Sequence, residues 1–149
     1  MTSARSRAAD RGNDFASIKD RLEPAINKSQ GRVACSILAR AGMTETEARK
    51  SGRKVLIGKR AMTRVVRAVE KGETQGFMKI PVDAETNESL GASLLGVECD
   101  EVIHSILDVM YAKAPYTVIQ RAMHIHPTVT ELIPTILGEL KPLEATNPG

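Results

Sequence analysis

At 149 residues the chain suits one domain with one core and leaves no room for two nucleotide-binding domains. Its 42% hydrophobic and 26% charged residues are ordinary for a globular protein and argue against general disorder. Charge is uneven: residues 1–60 carry fourteen Lys and Arg against six Asp and Glu, a net of +8, whereas 61–149 carry seven against twelve, a net of −5. A basic front half attracts acidic partners, but with no Trp and only four Phe and Tyr the stacking platform of a single-strand binder is missing, so nucleic acid is not expected as a partner.

No apolar run approaches the roughly eighteen residues that span a bilayer, and MTSARSRAADRGNDF lacks the apolar stretch of a secretory signal. A cytoplasmic location and no membrane partner are therefore expected. In the first thirty residues only Phe15, Ile18, Leu22 and Ile26 have helix-like spacing, and Pro24 interrupts it. Residues 33–38 read as a short strand before a turn at Ala41-Gly42. Thr44 and Glu47 form a capping box that starts a helix over 45–50, ended at Gly52. Val55-Leu56-Ile57 predicts a strand leading to Met62 and Val65, and Gly72 and Gly76 bracket a loop.

Met78, Ile80 and Val82 alternate with polar positions, and after the polar turn 84–88 the run 90–95 returns as the second strand of a hairpin. Pro81 cannot donate to a ladder, which places its strand at an edge or beside a bulge. Residues 100–112 form a helix so apolar that packing on two sides is expected. Beyond Pro115, Thr117 and Gln120 are spaced as a capping box for a helix over 117–123. A last helix after Pro127 carries Leu132, Ile133, Ile136, Leu137 and Leu140 on one stripe, and Pro134 is expected to kink it. Strands first and helices after them indicate an α+β domain, an antiparallel β-sheet covered by helices.

Titratable groups and constrained backbone converge at His124-Ile125-His126-Pro127-Thr128-Val129-Thr130-Glu131. Histidine moves protons near neutral pH, and a carboxylate on its far ring nitrogen fixes tautomer and orientation, so His126 and Glu131 are a candidate acid/base pair. Pro127 keeps His126 out of the α region and permits a cis bond. Thr128 and Glu131 are also spaced as a capping box, and local physics favours that plainer role for Glu131. His124 and His126 are spaced as two metal ligands without a nearby third, so no metal is expected. His104, within an apolar helix, reads as an interior residue hydrogen-bonded to Asp108 one turn on. Cys35 and Cys99 form neither a CxxC pair nor a disulfide framework and read as two unrelated reduced thiols.

The string HIHPTVTE resembles the C-terminal signature of the pyridine nucleotide-disulfide oxidoreductases, the family of glutathione reductase, dihydrolipoamide dehydrogenase and mercuric reductase, in which Glu follows five positions after the His of His-Pro-Thr. GMTETEAR, KVLIGKRAMTR, EKGETQGFMK, LGASLLG followed by Glu101 and Ile103, and MYAKAPYTVIQ resemble that family's dimerisation domain in order, over about two-thirds of the chain. Departures are Pro81 in a usually apolar strand, Glu98-Cys99 where small residues are usual, Val66 where Gly is frequent, and Arg32–Ser36 in place of a strand containing Asp-Pro.

The resemblance implies a dimerisation domain over 41–143, preceded by a poorly anchored basic arm, 1–40, and followed by a tail, 144–149. It implies a homodimer in which His126 serves the partner subunit's redox disulfide as general acid/base, with Glu131 orienting it and the His126-Pro127 backbone near the partner's flavin. FAD and NAD(P)H are the cofactors of the full-length family. With no GxGxxG to seat a pyrophosphate and no CxxxxC redox pair, this chain alone is expected to bind neither and to be inactive. A truncated gene product, a stand-alone domain and a half that complements a separate chain carrying FAD and NAD(P)H domains stay open. A non-catalytic binding or regulatory module that uses the basic arm is the alternative of a different class.

Overall fold

The computed structural model describes residues 37–144; the expectations for the arm, the helix-like stretch at 15–26, most of the strand at 33–38 and Cys35 lie outside the described residues. Five antiparallel strands form one sheet in the order β1-β4-β3-β2-β5: β1 Ile37–Gly42, β2 Val55–Ala61, β3 Phe77–Asp83, β4 Gly91–Gly96 and β5 Lys141–Pro142. The strand expected over 33–38 thus runs to Gly42, whose φ of +56° ends it. The helices are α1 Glu45–Lys50, α2 Val66–Glu70, α3 Cys99–Tyr111, α4 Thr117–Gln120 and α5 Leu132–Gly138. The α+β arrangement with a helix-covered antiparallel sheet is as the sequence indicates.

Register sorts the side chains onto two faces. Gly58 pairs with Ile80, Met78 with Leu94 and Ala41 with Ala92, so these residues share the face that carries the main core. Met78, Ile80, Val82 and Leu94 are fully buried there with Ile106 of α3 and Ile133, Ile136 and Leu137 of α5. Gly58 is the point of closest approach: a Cβ on it would stand 2.5 Å from Ile136 Cγ2 and 2.6 Å from the Ile136 carbonyl oxygen. Glycine at this position lets α5 lie on β2. The opposite face, where Lys59 and Lys79 lie, carries α1, which opens with the expected capping box of Thr44 and Glu47.

Several expectations are corrected. Pro81 lies in an interior strand, not an edge, and the second alternative holds: the β3–β4 register moves from Lys79↔Ser93 to Val82↔Ser89, one extra residue on β4. The Pro81 carbonyl accepts from the Leu90 N–H on that side, so the missing donor falls at the bulge. β2 ends at Ala61, and a 3₁₀ turn over Met62–Arg64 leads into α2, a helix without a sequence signal because Val65 offers no side-chain cap. Pro134 does not kink α5, since it is the third residue of a helix beginning at Leu132, where backbone N–H groups have no intrahelical acceptor to lose.

In α3 the buried stripe is Cys99, Val102, Ile103 and Ile106, while Glu101, His104 and Asp108 are exposed. Packing on two sides is therefore not found in the single chain, and His104 is neither interior nor hydrogen-bonded to Asp108, because positions 101, 104 and 108 form the outward stripe. The capping box at Thr117 is also absent: Tyr116 precedes the helix without a side-chain cap bond, and the Gln120 amide donates to the Leu137 carbonyl at 3.2 Å. That bond ties α4 to α5. No helix among the described residues is long and apolar enough to cross a membrane.

Candidate functional site

The segment between α4 and α5 folds back on itself through its own side chains. Val129 is its apolar anchor, 1% exposed in the core. The Thr128 hydroxyl donates to the Ile125 carbonyl at 2.8 Å and accepts from the Glu131 N–H at 3.3 Å. His124 Nδ1 lies 3.1 Å from the Thr130 carbonyl oxygen, so that nitrogen carries the proton. The His126-Pro127 bond is cis.

His126 Nδ1 is 2.7 Å from Glu131 Oε2. A carboxylate only accepts, so Nδ1–H donates and Nε2 is left as the free basic nitrogen. The two side chains differ in setting: Glu131 is 17% exposed and His126 69%. A sheltered carboxylate thus holds an exposed imidazole by its Nδ1. The capping and pairing readings of Glu131 coexist, since its backbone N–H takes the Thr128 hydroxyl while its carboxylate takes His126.

Pro127 contributes its carbonyl oxygen, which accepts two hydrogen bonds from the Arg67 guanidinium of α2. Sequence reasoning did not single out Arg67, because its partner lies 60 residues away and α2 carries no cap signal. The flanking Met123 and Ile125 are 99% and 80% exposed, unusual for large apolar side chains.

The sequence profile described as pyridine nucleotide-disulphide oxidoreductase, dimerisation domain, matches residues 36–136, including His126, Pro127 and Glu131. The chain belongs to this family. It is 35% identical over 104 residues to the Escherichia coli protein named probable pyridine nucleotide-disulfide oxidoreductase RclA, covering 70% of this chain and 24% of that one. It is 38% identical over 96 residues to dihydrolipoyl dehydrogenase 3 of Pseudomonas putida, covering 64% and 21%. A solved structure of the HOCl-induced flavoprotein disulfide reductase RclA from E. coli, as its Cu(II) complex, superposes with a TM-score of 0.67 at 34% identity, covering 68% of this chain and 23% of that one. The chain spans about a fifth to a quarter of the length of the curated relatives it matches.

The described residues do not fit a dinucleotide. Every strand pairing is antiparallel, so no parallel strand-turn-helix unit presents a helix N-terminus to a pyrophosphate.

Proposed function

We propose that this chain supplies the self-associating interface of a flavin-dependent disulfide oxidoreductase and that His126 is its general acid/base. The observation that carries this reading is the His126–Glu131 contact at 2.7 Å, with the carboxylate sheltered and the imidazole open. Nε2 of a neutral imidazole takes a proton from a substrate or enzyme thiol and returns it when the thiolate leaves, while Glu131 stabilises the imidazolium formed in between. Glu131 also holds the ring so that Nε2 points outward. The loop would reach a flavin and disulfide site in another subunit, with the His126-Pro127 backbone against the flavin. Flavin and nicotinamide supply the hydride chemistry; this chain's part is the proton.

Support for self-association comes from the family and from Met123 and Ile125, which precede His126 on either side of His124 and leave apolar surface in water. A two-fold interface is self-complementary, so both copies bury this surface together. By itself the chain is inactive in this reading. A cytoplasmic location goes with it, as the compartment that keeps thiols reduced.

Reconstitution tests the assignment. The full chain is combined with the remainder of a relative such as the E. coli flavoprotein disulfide reductase and assayed for NAD(P)H-dependent disulfide reduction. Activity is expected only with the chain present, and His126→Ala is expected to lower it by about 10²–10⁴-fold. Equal activity with the wild-type chain and His126→Ala would overturn the acid/base role.

A further inference from the structure

We propose that Arg67 is the positioning residue for the acid/base loop, fixing through the Pro127 carbonyl the direction in which the His126 imidazole meets Glu131. This rests on the acid/base reading above. Arg67 Nη2 donates to Pro127 O at 2.9 Å and Nε donates to the same oxygen at 3.2 Å. On its other side Nη1 lies 3.2 Å from Glu70 Oε2, one turn along α2, so the guanidinium is gripped between its own helix and the loop. The helix in turn is seated by Val65 and Ala68, both fully buried.

The bonds from Thr128 to Ile125 and Glu131, and from His124 to Thr130, close the loop on itself and give it a shape. They do not say how that shape is aimed relative to the sheet. Pro127 has no N–H, so its carbonyl is the one backbone group it can offer, and Arg67 takes it with two donors. Two donors of one rigid fork fix direction as well as distance; an ammonium on a flexible stem fixes distance alone. His126 is the residue immediately before the gripped carbonyl's residue and is 69% exposed, with little packing of its own to hold it. Beyond its bond to Glu131, its orientation therefore depends on the grip of α2 on Pro127.

The test is a spectrum of the full chain labelled with ¹⁵N at histidine, recorded at about pH 8, above the ordinary range of a free imidazole. Long-range ¹H–¹⁵N correlations report which ring nitrogen of His126 holds the proton. In the wild type the Nδ1–H form is expected to dominate, because Glu131 accepts from it. In Arg67→Ala it should fall to the minor form, and in Arg67→Lys, which keeps the charge but not the fork, recovery should be partial. His124, bonded within the loop, and His104 on α3 are the internal controls for an intact fold.

Nδ1–H still dominant in both variants overturns the proposal and leaves the His126–Glu131 pair standing. Nε2–H dominant in the wild type overturns the pair and the proposal together. If Arg67→Ala does not fold, Arg67→Lys decides alone: loss of Nδ1–H dominance supports positioning by the fork, and full retention overturns it.

Discussion

At the scale of single residues, charge and burial are balanced differently at three acidic or thiol groups. Glu45 receives Lys59 at 2.7 Å, Arg49 at 2.8 Å and Lys79 at 3.0 Å. The Lys59 hydrogen bond is the largest influence, partial burial opposes it, and the net result holds the carboxyl at about 2 against an ordinary 4.5. Asp83, buried in β3, is likewise held below its usual range, by Arg53 first and then by the N–H groups of Glu85 and Thr86. Cys99 goes the other way. It opens α3, where the helix field favours a thiolate, yet burial prevails and pushes it up to about 12, making it an inert core side chain.

Because the folded-state value of Glu45 is depressed, its contribution to stability is present above its unfolded value and lost as pH falls from 4.5 through about 2. Glu45→Gln is expected to cost about 1–2 kcal/mol at pH 7, a figure discounted for the partly solvated lysines. The gap in melting temperature between wild type and variant should close over that acid window. A gap unchanged down to about pH 2 would contradict the account of the cluster.

At the scale of elements, α3 ends in a Schellman turn: Lys113 N–H donates to Met110 O and Ala114 N–H to Val109 O, both at 3.1 Å. Lys113 occupies its left-handed position with φ of +52°, where glycine is the usual residue. A side chain there costs about 1–2 kcal/mol and glycine's extra chain entropy returns about 0.5–1, so Lys113→Gly should stabilise by about 0.5–1 kcal/mol. Thermal unfolding should show a rise of a few degrees; a fall would mean that Lys113 makes a contact stronger than its strain.

Legibility in the sequence followed how local each signal was. Thr44 and Glu47 announce α1, and the alternation of Met78, Ile80 and Val82 gives β3, because both patterns are complete within a few residues. α2 carries no side-chain cap, so its start is set by tertiary packing instead. Thr117 and Gln120 have cap spacing without cap geometry, since α5 claims the Gln120 amide. The site divides the same way: His126 and Glu131 are five residues apart and were readable as a pair, whereas Arg67 meets Pro127 only once the sheet has brought α2 to the loop.

For the whole molecule, the architecture gives the loop a firm base and an open front. The sheet and α3, α4 and α5 share one core, and Gly58 brings α5, the helix that follows His126, down onto β2. Outside that core, Met123 and Ile125 remain in water, with Val69 of α2 and Val118 of α4 each more than half exposed. A stable monomer rarely keeps large apolar side chains this open beside a histidine already held by its carboxylate. Family membership and surface chemistry thus both support the self-association proposed above.

Sedimentation equilibrium of the full chain over about 10–300 µM tests that claim most directly. The account predicts a mass rising to twice 16.1 kDa, with the paired change Met123→Glu and Ile125→Glu shifting the curve back toward the monomer. A mass of 16.1 kDa at every concentration would contradict it.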